Sequence, residues 1–468
     1  MTLASLRIRT LPCNPRQIWP VLLLSLVLGL GTGLRGAEAG WRAGFARAVI
    51  TPQQPVMMGG YANRDKPSRG VVNDLYVKAM ALIDGTGHRS VLITCDFIGF
   101  RSGMADPICE RIMKASGLAR SQILLNSSHT HTGPGPRLAA PSGNPKNEAE
   151  QATFDYSVWL QDRVVETALA ALADTQPVTL SHAVGAVKFP FNRRQYTERG
   201  VILGVNPSGP NDRSVPVLRV TADDGKILGV VFGAACHNTT IPPLDYQICG
   251  DFAGFAQEQL EQKHPGATAM FMQGCGGDST PYPTGSLALA RAHGAELGSE
   301  VERVLAKGSL QPVLGPLHTG LAYADLPLEP PPSLAEIEQM AREPALWKKA
   351  AAAQMLLQHH AGKKPPTHYR APFALWKFGQ GLTLVGLSGE TVADYVTMAQ
   401  RVFGPVNLWV AGYCNDIYGY LPNTRILQEG GYEARGLYEG RRFAPGVEFT
   451  VEATLAGLHK AAPVPPPR

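Results

Sequence analysis

No block of lysines and arginines runs through this chain, and that absence excludes the electrostatic footprint of a nucleic-acid binder. The formal charge of +5 overstates even the modest basicity present, because Arg7, Arg9, Arg16 and Arg35 against Glu38 leave only +2 beyond residue 39. The pairs Lys348-Lys349 and Lys363-Lys364 read as solvated faces. Cysteines are few. Apart from Cys13 they stand at 95, 109, 236, 249, 275 and 414, spacings that fit no disulfide framework, and a core this large does not require one. Cys236 and Cys249 are the closest pair by sequence that could bridge. The apolar run Val21–Leu28 is short for a membrane span. With the preceding arginines and the small residues Ala37-Glu38-Ala39, it has the pattern of a cleaved secretory signal over residues 1–39, the alternative being an uncleaved anchor. A secreted or periplasmic protein is therefore expected.

What the remainder contains is alternation. From about Gly44 to Thr454, short β-rich runs (Val91–Phe97, Gln122–Asn126, Val215–Val220, Ala267–Met272, Leu382–Leu387, Leu408–Ala411) alternate with helical stretches such as Met104–Ser116, Ala253–Lys263 and Ser286–Ala306. This predicts an α/β architecture, with mixed β-sheets flanked by helices in one large domain over residues 40–460. Prolines at 330–332 and 365–366 bracket a helical excursion near 330–365, on the surface or over the site. Residues 461–468, with prolines at 463 and 465–467, read as a disordered tail.

Several strands run directly into residues capable of chemistry. Gln122–Asn126 leads into Ser128-His129-Thr130-His131-Thr132-Gly133-Pro134-Gly135. If the extended backbone continues, His129 and His131 share one face and could hold a borderline cation such as zinc. Ile227–Cys236 ends in His237, Leu382–Leu387 in Ser388-Gly389-Glu390, and Ala267–Met272 in Gly274–Pro281, with Asp278 among them. Leu408–Tyr413 ends in Cys414-Asn415-Asp416, with Tyr418 and Tyr420 beyond. Sites in open α/β sheets lie at the carboxyl ends of strands, so the repetition is informative where any single residue is not. Two histidines and a carboxylate make a half-open zinc site that lowers the pKa of bound water from 15.7 to ~7. Arg193 and Arg194, in Phe191-Asn192-Arg193-Arg194, are the arginines available to stabilise an oxyanion, or are simply a surface pair in a loop.

Taken in order, these motifs resemble the neutral (non-lysosomal) ceramidase family. Residues 128–135 are similar to its THTHSGPG signature. Asn192-Arg193-Arg194, His237, Gly250-Asp251, Gly277-Asp278 and the Ala411–Tyr420 segment match further motifs in the same order, over about Gly44 to Tyr432. The resemblance implies one zinc per chain, held by His129, His237, Glu390 and Tyr420. It implies His131 beside the metal and Arg193 on the substrate or oxyanion; in the hydrolase reading of these residues His131 relays a proton to the leaving amine, and Asp278 either orients a ligand or Thr280 or is a loop cap. Asp96 is either an outer support of the site or a loop cap. The family hydrolyses the amide of ceramide, so a ceramide or other N-acyl lipid is the expected substrate, with transient membrane-surface contact and no nucleic acid.

Three departures matter, one being that Ser388-Gly389-Glu390-Thr391-Val392 matches the family's glutamate region more loosely than the histidine motifs match theirs. Where the family has Gly-Asp-x-Ser-Pro this chain has Gly277-Asp278-Ser279-Thr280-Pro281, placing Thr280 at the serine position. The immunoglobulin-like C-terminal domain of the well-known ceramidases has no counterpart before Arg468, so substrate choice is expected to differ. Three other readings stand beside this one: a metal-free hydrolase with Ser279 or Thr280 as nucleophile, a Cys236 thiol hydrolase, and a non-catalytic secreted lipid-binding protein.

Overall fold

Every residue of the strand Ile123–Ser127 is buried, because both of its faces are covered. Ile123 and Leu125 join one apolar cluster with the helices Ser102–Ser116 and Glu148–Ala173, whereas Leu124 joins another with Trp376 and Leu384 of a second sheet. Arg89–Cys95 alternates in the same way, with Val91, Ile93 and Cys95 on one side and Leu92 on the other. The computed structural model describes residues 40–138, 148–379 and 381–462. The signal segment expected at 1–39, and all but two residues of the expected tail, lie outside the described residues.

The nine-stranded mixed sheet runs in the order Thr268–Gln273, Ile227–Ala234, Ser214–Ala222, Gln176–Ala186, Trp41–Val49, Tyr76–Ile83, Arg89–Cys95, Ile123–Ser127, with Gln311–Pro312 paired to Gln176–Ala186. Asp251–Lys263 and Leu287–Ala306 cover its other half, around Phe232 and Phe271. The four-stranded sheet, Leu317–Pro327, His368–Phe378, Leu382–Gly386 and Leu408–Ala411, presses its inner face on the first. Its outer face carries Asp394–Phe403 and Val447–Ala461. The result is four layers, helix, sheet, sheet and helix, in agreement with the expected α/β class.

Asn126 ties the layers together. Its amide donates to the carbonyls of Gly412 (2.8 Å) and Gln273 (3.3 Å), and its oxygen accepts from Gln273 N–H (2.8 Å). One side chain thus joins the two edge strands of the large sheet to the end of a strand in the small one, gathering three strand termini at one place.

The helical excursion is present and gains detail, and two expectations are corrected. The excursion near 330–365 is two helices, Leu334–Arg342 and Leu346–His360, since Pro344 forbids a continuous one. The first opens on a capping box in which the Ser333 hydroxyl accepts from Glu336 N–H. Arg193 and Arg194 are not in a loop but on Pro190–Thr197, which pairs with Gly200–Asn206 and with Ser279–Pro281. Cys236 and Cys249 are both free and buried, as are the other four described cysteines.

Candidate metal centre

The chain turns sharply after Ser127. His129 takes φ 59°, in the left-handed region, and Thr130 bridges to Asn238. The expected strand-like alternation does not occur. The kink itself brings the His129 and His131 rings to 4.9 Å between centroids, and His237 lies 5.0 Å from His129. One ring nitrogen of each of these three buried histidines lies within 4.8 Å of the others.

Backbone carbonyls fix two of the tautomers. His129 Nδ1 stands 2.6 Å from Ile98 O, and His237 Nδ1 stands 2.7 Å from Gly276 O and 3.1 Å from Ser279 O. A carbonyl only accepts, so each Nδ1 carries the proton and each Nε2 keeps a lone pair. Both Nε2 atoms face Glu390 Oε2, at 2.9 Å from His237 and 3.3 Å from His129. Burial, followed by the nearby Arg193 charge, lowers the His237 pKa to about 4, so its ring is neutral near pH 7. Two lone pairs and a carboxylate pointed at one another repel, and a shared cation removes the conflict. Imidazole nitrogen with carboxylate oxygen is a donor set suited to zinc.

The third imidazole is held differently. His131 is buried, neither ring nitrogen has a hydrogen-bond partner, and Tyr61 packs edge-on against it at 4.8 Å. Burial first, then the neighbouring imidazoles of His129 and His237, push its pKa well below the ordinary value. Gly60 comes so close that a Cβ there would fall 2.4 Å from Nδ1, which with φ +93° makes this a glycine-only position. Arg64 donates to the carbonyls of Gly59 and His131, securing the loop beneath.

Opposite the imidazoles stand phenols and an arginine. Glu390 and Tyr420 begin two short parallel strands and sit side by side. Tyr420 Oη is 3.5 Å from His237 Nε2 and accepts from Arg193 Nη2 at 3.0 Å. Arg193 Nε donates to Glu433 Oε1 (2.8 Å) and Arg194 Nη1 to Glu433 Oε2 (2.7 Å), so one buried carboxylate holds both neighbours. Arg193 reaches the site; Arg194 turns away to Glu429 and the Gly430 carbonyl.

His129, His131, Glu390 and Tyr420 all line one cavity of about 460 Å³, which opens outward past Ile98, Leu138 and Trp347. Asp278 does not line it. Its carboxylate accepts from Ala393 N–H (2.8 Å) and the Asn192 amide (2.9 Å), and its carbonyl accepts from Arg193 N–H (2.8 Å), so it fixes the strand that carries the arginine. Nor does Thr280 reach the site. It pairs with Phe191 on Ser279–Pro281, and it is the Ser279 carbonyl that touches His237. Asp96 accepts from Tyr76 N–H and the Gln257 amide, away from the cavity.

Sequence reasoning missed Tyr438, whose hydroxyl donates to Glu390 Oε1 at 2.5 Å, and Glu433. It also missed Tyr413, whose ring lies 4.7 Å from His129 and whose buried hydroxyl has no partner. The glycines around 430–440 and the five tyrosines from 413 to 438 were the available signal.

Comparisons with known proteins bear on the family and the fold. Residues 41–296 match the family described as neutral/alkaline non-lysosomal ceramidase, N-terminal. Over 278 residues the chain is 24% identical to the neutral ceramidase of Pseudomonas aeruginosa, covering 57% of this chain and 41% of that protein. The chain thus spans less than half the length of this curated relative. Among solved structures, a ceramidase complexed with C2 superposes with a TM-score of 0.69 at 19% identity, over 92% of this chain and 77% of that one. The neutral ceramidase from Pseudomonas aeruginosa superposes with a TM-score of 0.68 at 20% identity, over 91% and 76%. The shared fold therefore continues well beyond residue 296, into the segment that carries Glu390, Tyr420 and Tyr438. On the strength of that match over more than half its length, the chain belongs to the neutral/alkaline non-lysosomal ceramidase family.

Proposed function

We propose that this protein is a secreted, zinc-dependent amidohydrolase that cleaves the amide of ceramide or a related N-acyl lipid, releasing a fatty acid and a sphingoid base or other amine. The observation that carries the reading is the convergence of two Nε2 lone pairs on Glu390 Oε2, next to a third imidazole without partners. His129, His237, Glu390 and Tyr420 would hold one zinc. When bound there, zinc supplies Lewis acidity and a nucleophilic water at neutral pH. Export rests on the leader-like composition of residues 1–39.

The chain's own residues have distinct tasks. The amide carbonyl enters the cavity between the imidazoles and Tyr420, and Arg193 with the Tyr420 hydroxyl donates to its oxygen as charge develops. His131, neutral and unpartnered, accepts a proton from the attacking water and delivers it to the leaving amine. Asp278 positions Arg193 through the backbone contact described above. Burial of the site strengthens each of these interactions.

The metal-free alternative is disfavoured, because Ser279 Oγ donates to Asn211 Oδ1 at 3.4 Å and, among the described residues, neither this hydroxyl nor that of Thr280 hydrogen-bonds a histidine. Cys236 is a poor nucleophile, since burial pushes its thiol pKa far up. Fatty-acid release from ceramides and simpler N-acyl amines, before and after chelation, tests the proposal. Activity should vanish with the metal and return with zinc. Full turnover by metal-free protein, or none on any N-acyl substrate, would reject it.

A further inference from the structure

The helix Leu346–His360 presents an unpartnered apolar line to solvent. Its inner side, Ala352 and Met355, packs on Ile337 of the neighbouring helix. On the outer side Leu346 is 59% exposed and Leu357 is 72% exposed. These residues are eleven apart, three helical turns, and therefore lie on the same face, with exposed Ala350 and Ala353 between them. Exposed leucines in line along a basic helix are the pattern of a segment that lies in a membrane interface.

Charge supports the same occupant. From Arg342 to Lys364 the basic residues are Arg342, Lys348, Lys349, Lys363 and Lys364, and the only acidic one is Glu343, which pairs with Lys348. The helix is also continuous with the site. Trp347, next to Leu346, lines the cavity, and Arg435 stacks on its ring at 4.2 Å, securing the first turn to the segment that carries Tyr432 and Tyr438. Among the described residues no helix is long and apolar enough to cross a membrane, so contact here lies along the surface.

We infer that the exposed face of Leu346–His360, with Leu346, Leu357, Lys349, Lys363 and Lys364, docks the protein on an anionic lipid bilayer and brings the cavity rim at Trp347 to the membrane surface. The inference rests on the lipid-amide reading of the cavity: a two-chain N-acyl lipid resides in a bilayer, and a rim seated there receives it without passage through water.

Co-sedimentation with phosphatidylcholine vesicles, with and without phosphatidylserine, provides the test. The purified protein should bind the mixed vesicles better. L346S/L357S and, separately, K363E/K364E should each weaken that binding by about tenfold or more. Both variants should keep the wild-type melting temperature and hydrolyse a water-soluble short-chain N-acyl amine at the wild-type rate. Wild-type affinity for vesicles in the variants overturns the inference, as does absence of binding by the parent protein. If L346S/L357S instead converts a dimer to a monomer in sedimentation velocity with vesicle binding unchanged, the face joins two copies of the chain and the inference also fails. Loss of turnover on the soluble amine by the parent protein would count against the hydrolase reading, whatever the vesicles show.

Discussion

Tyr438 donates its phenolic proton to Oε1 of Glu390 over 2.5 Å, and this leaves Oε2 alone to face the imidazoles. Partners of a metal-binding carboxylate fix its rotamer and contribute to affinity. Tyr438→Phe is therefore expected to weaken zinc binding by about tenfold or more while the fold stays intact. Competition against a fluorescent chelator measures it, and unchanged affinity would show that Glu390 is positioned without this hydroxyl.

His237 and His131 should separate metal binding from proton transfer. His237→Ala removes a ring that is locked by two carbonyls and faces the carboxylate, so zinc content by elemental analysis should collapse along with turnover. His131→Gln should retain the metal and lower kcat by about 10²–10⁴, the range for loss of a general acid–base. A zinc-free His131 variant would instead make that ring a ligand.

Acid should release the metal late. Zinc binding needs neutral imidazole, and an ordinary histidine would begin to lose it near pH 6.5. With the His237 pKa already lowered to about 4, protonation of His237 should begin to displace the metal at fixed free zinc only as pH approaches 4. Protonation of His237 near 6.5, followed by NMR, would show that burial does not depress its pKa.

Glu433→Gln leaves two buried guanidinium groups sharing a neutral partner. Breaking a buried pair costs about 3–5 kcal/mol, which should appear in the urea midpoint, with loss of turnover because Arg193 is no longer held against Tyr420. A variant with parental stability would mean that Glu429 and Tyr420 suffice.

Thr280→Ala should do little. Its side chain does not line the cavity, and stability within about 0.5 kcal/mol with kcat/KM within about twofold is expected. A complete loss would restore the hydroxyl to the chemistry.

How far the site was legible depended on the distance over which each residue acts. His129, His131 and His237 follow strands whose uninterrupted apolar runs are visible in the sequence, and they sit in short motifs, so their meeting could be anticipated. The means of meeting could not: a left-handed φ at a histidine follows from tertiary contacts such as that of Thr130 with Asn238, not from local propensity. Glu433 and Tyr438 act on residues 240 and 48 positions away, from a glycine-rich segment with no periodicity to read. The hairpin carrying Arg193 was hidden because Gly200–Asn206 is only partly buried, so no apolar alternation marks it. Pro344 was visible, yet the flanking helical pattern concealed the break it makes.

The two helices between residues 334 and 360 fall between the stretch that supplies the imidazoles and the stretch that supplies Glu390 and the phenols. They contribute a wall, through Trp347, and none of the reacting groups. Changes in their length or side chains can therefore reshape what enters the cavity while the chemistry at its floor stays as it is. Under the proposed hydrolase reading, this part of the cavity wall and the reacting groups thus belong to separate stretches of the chain.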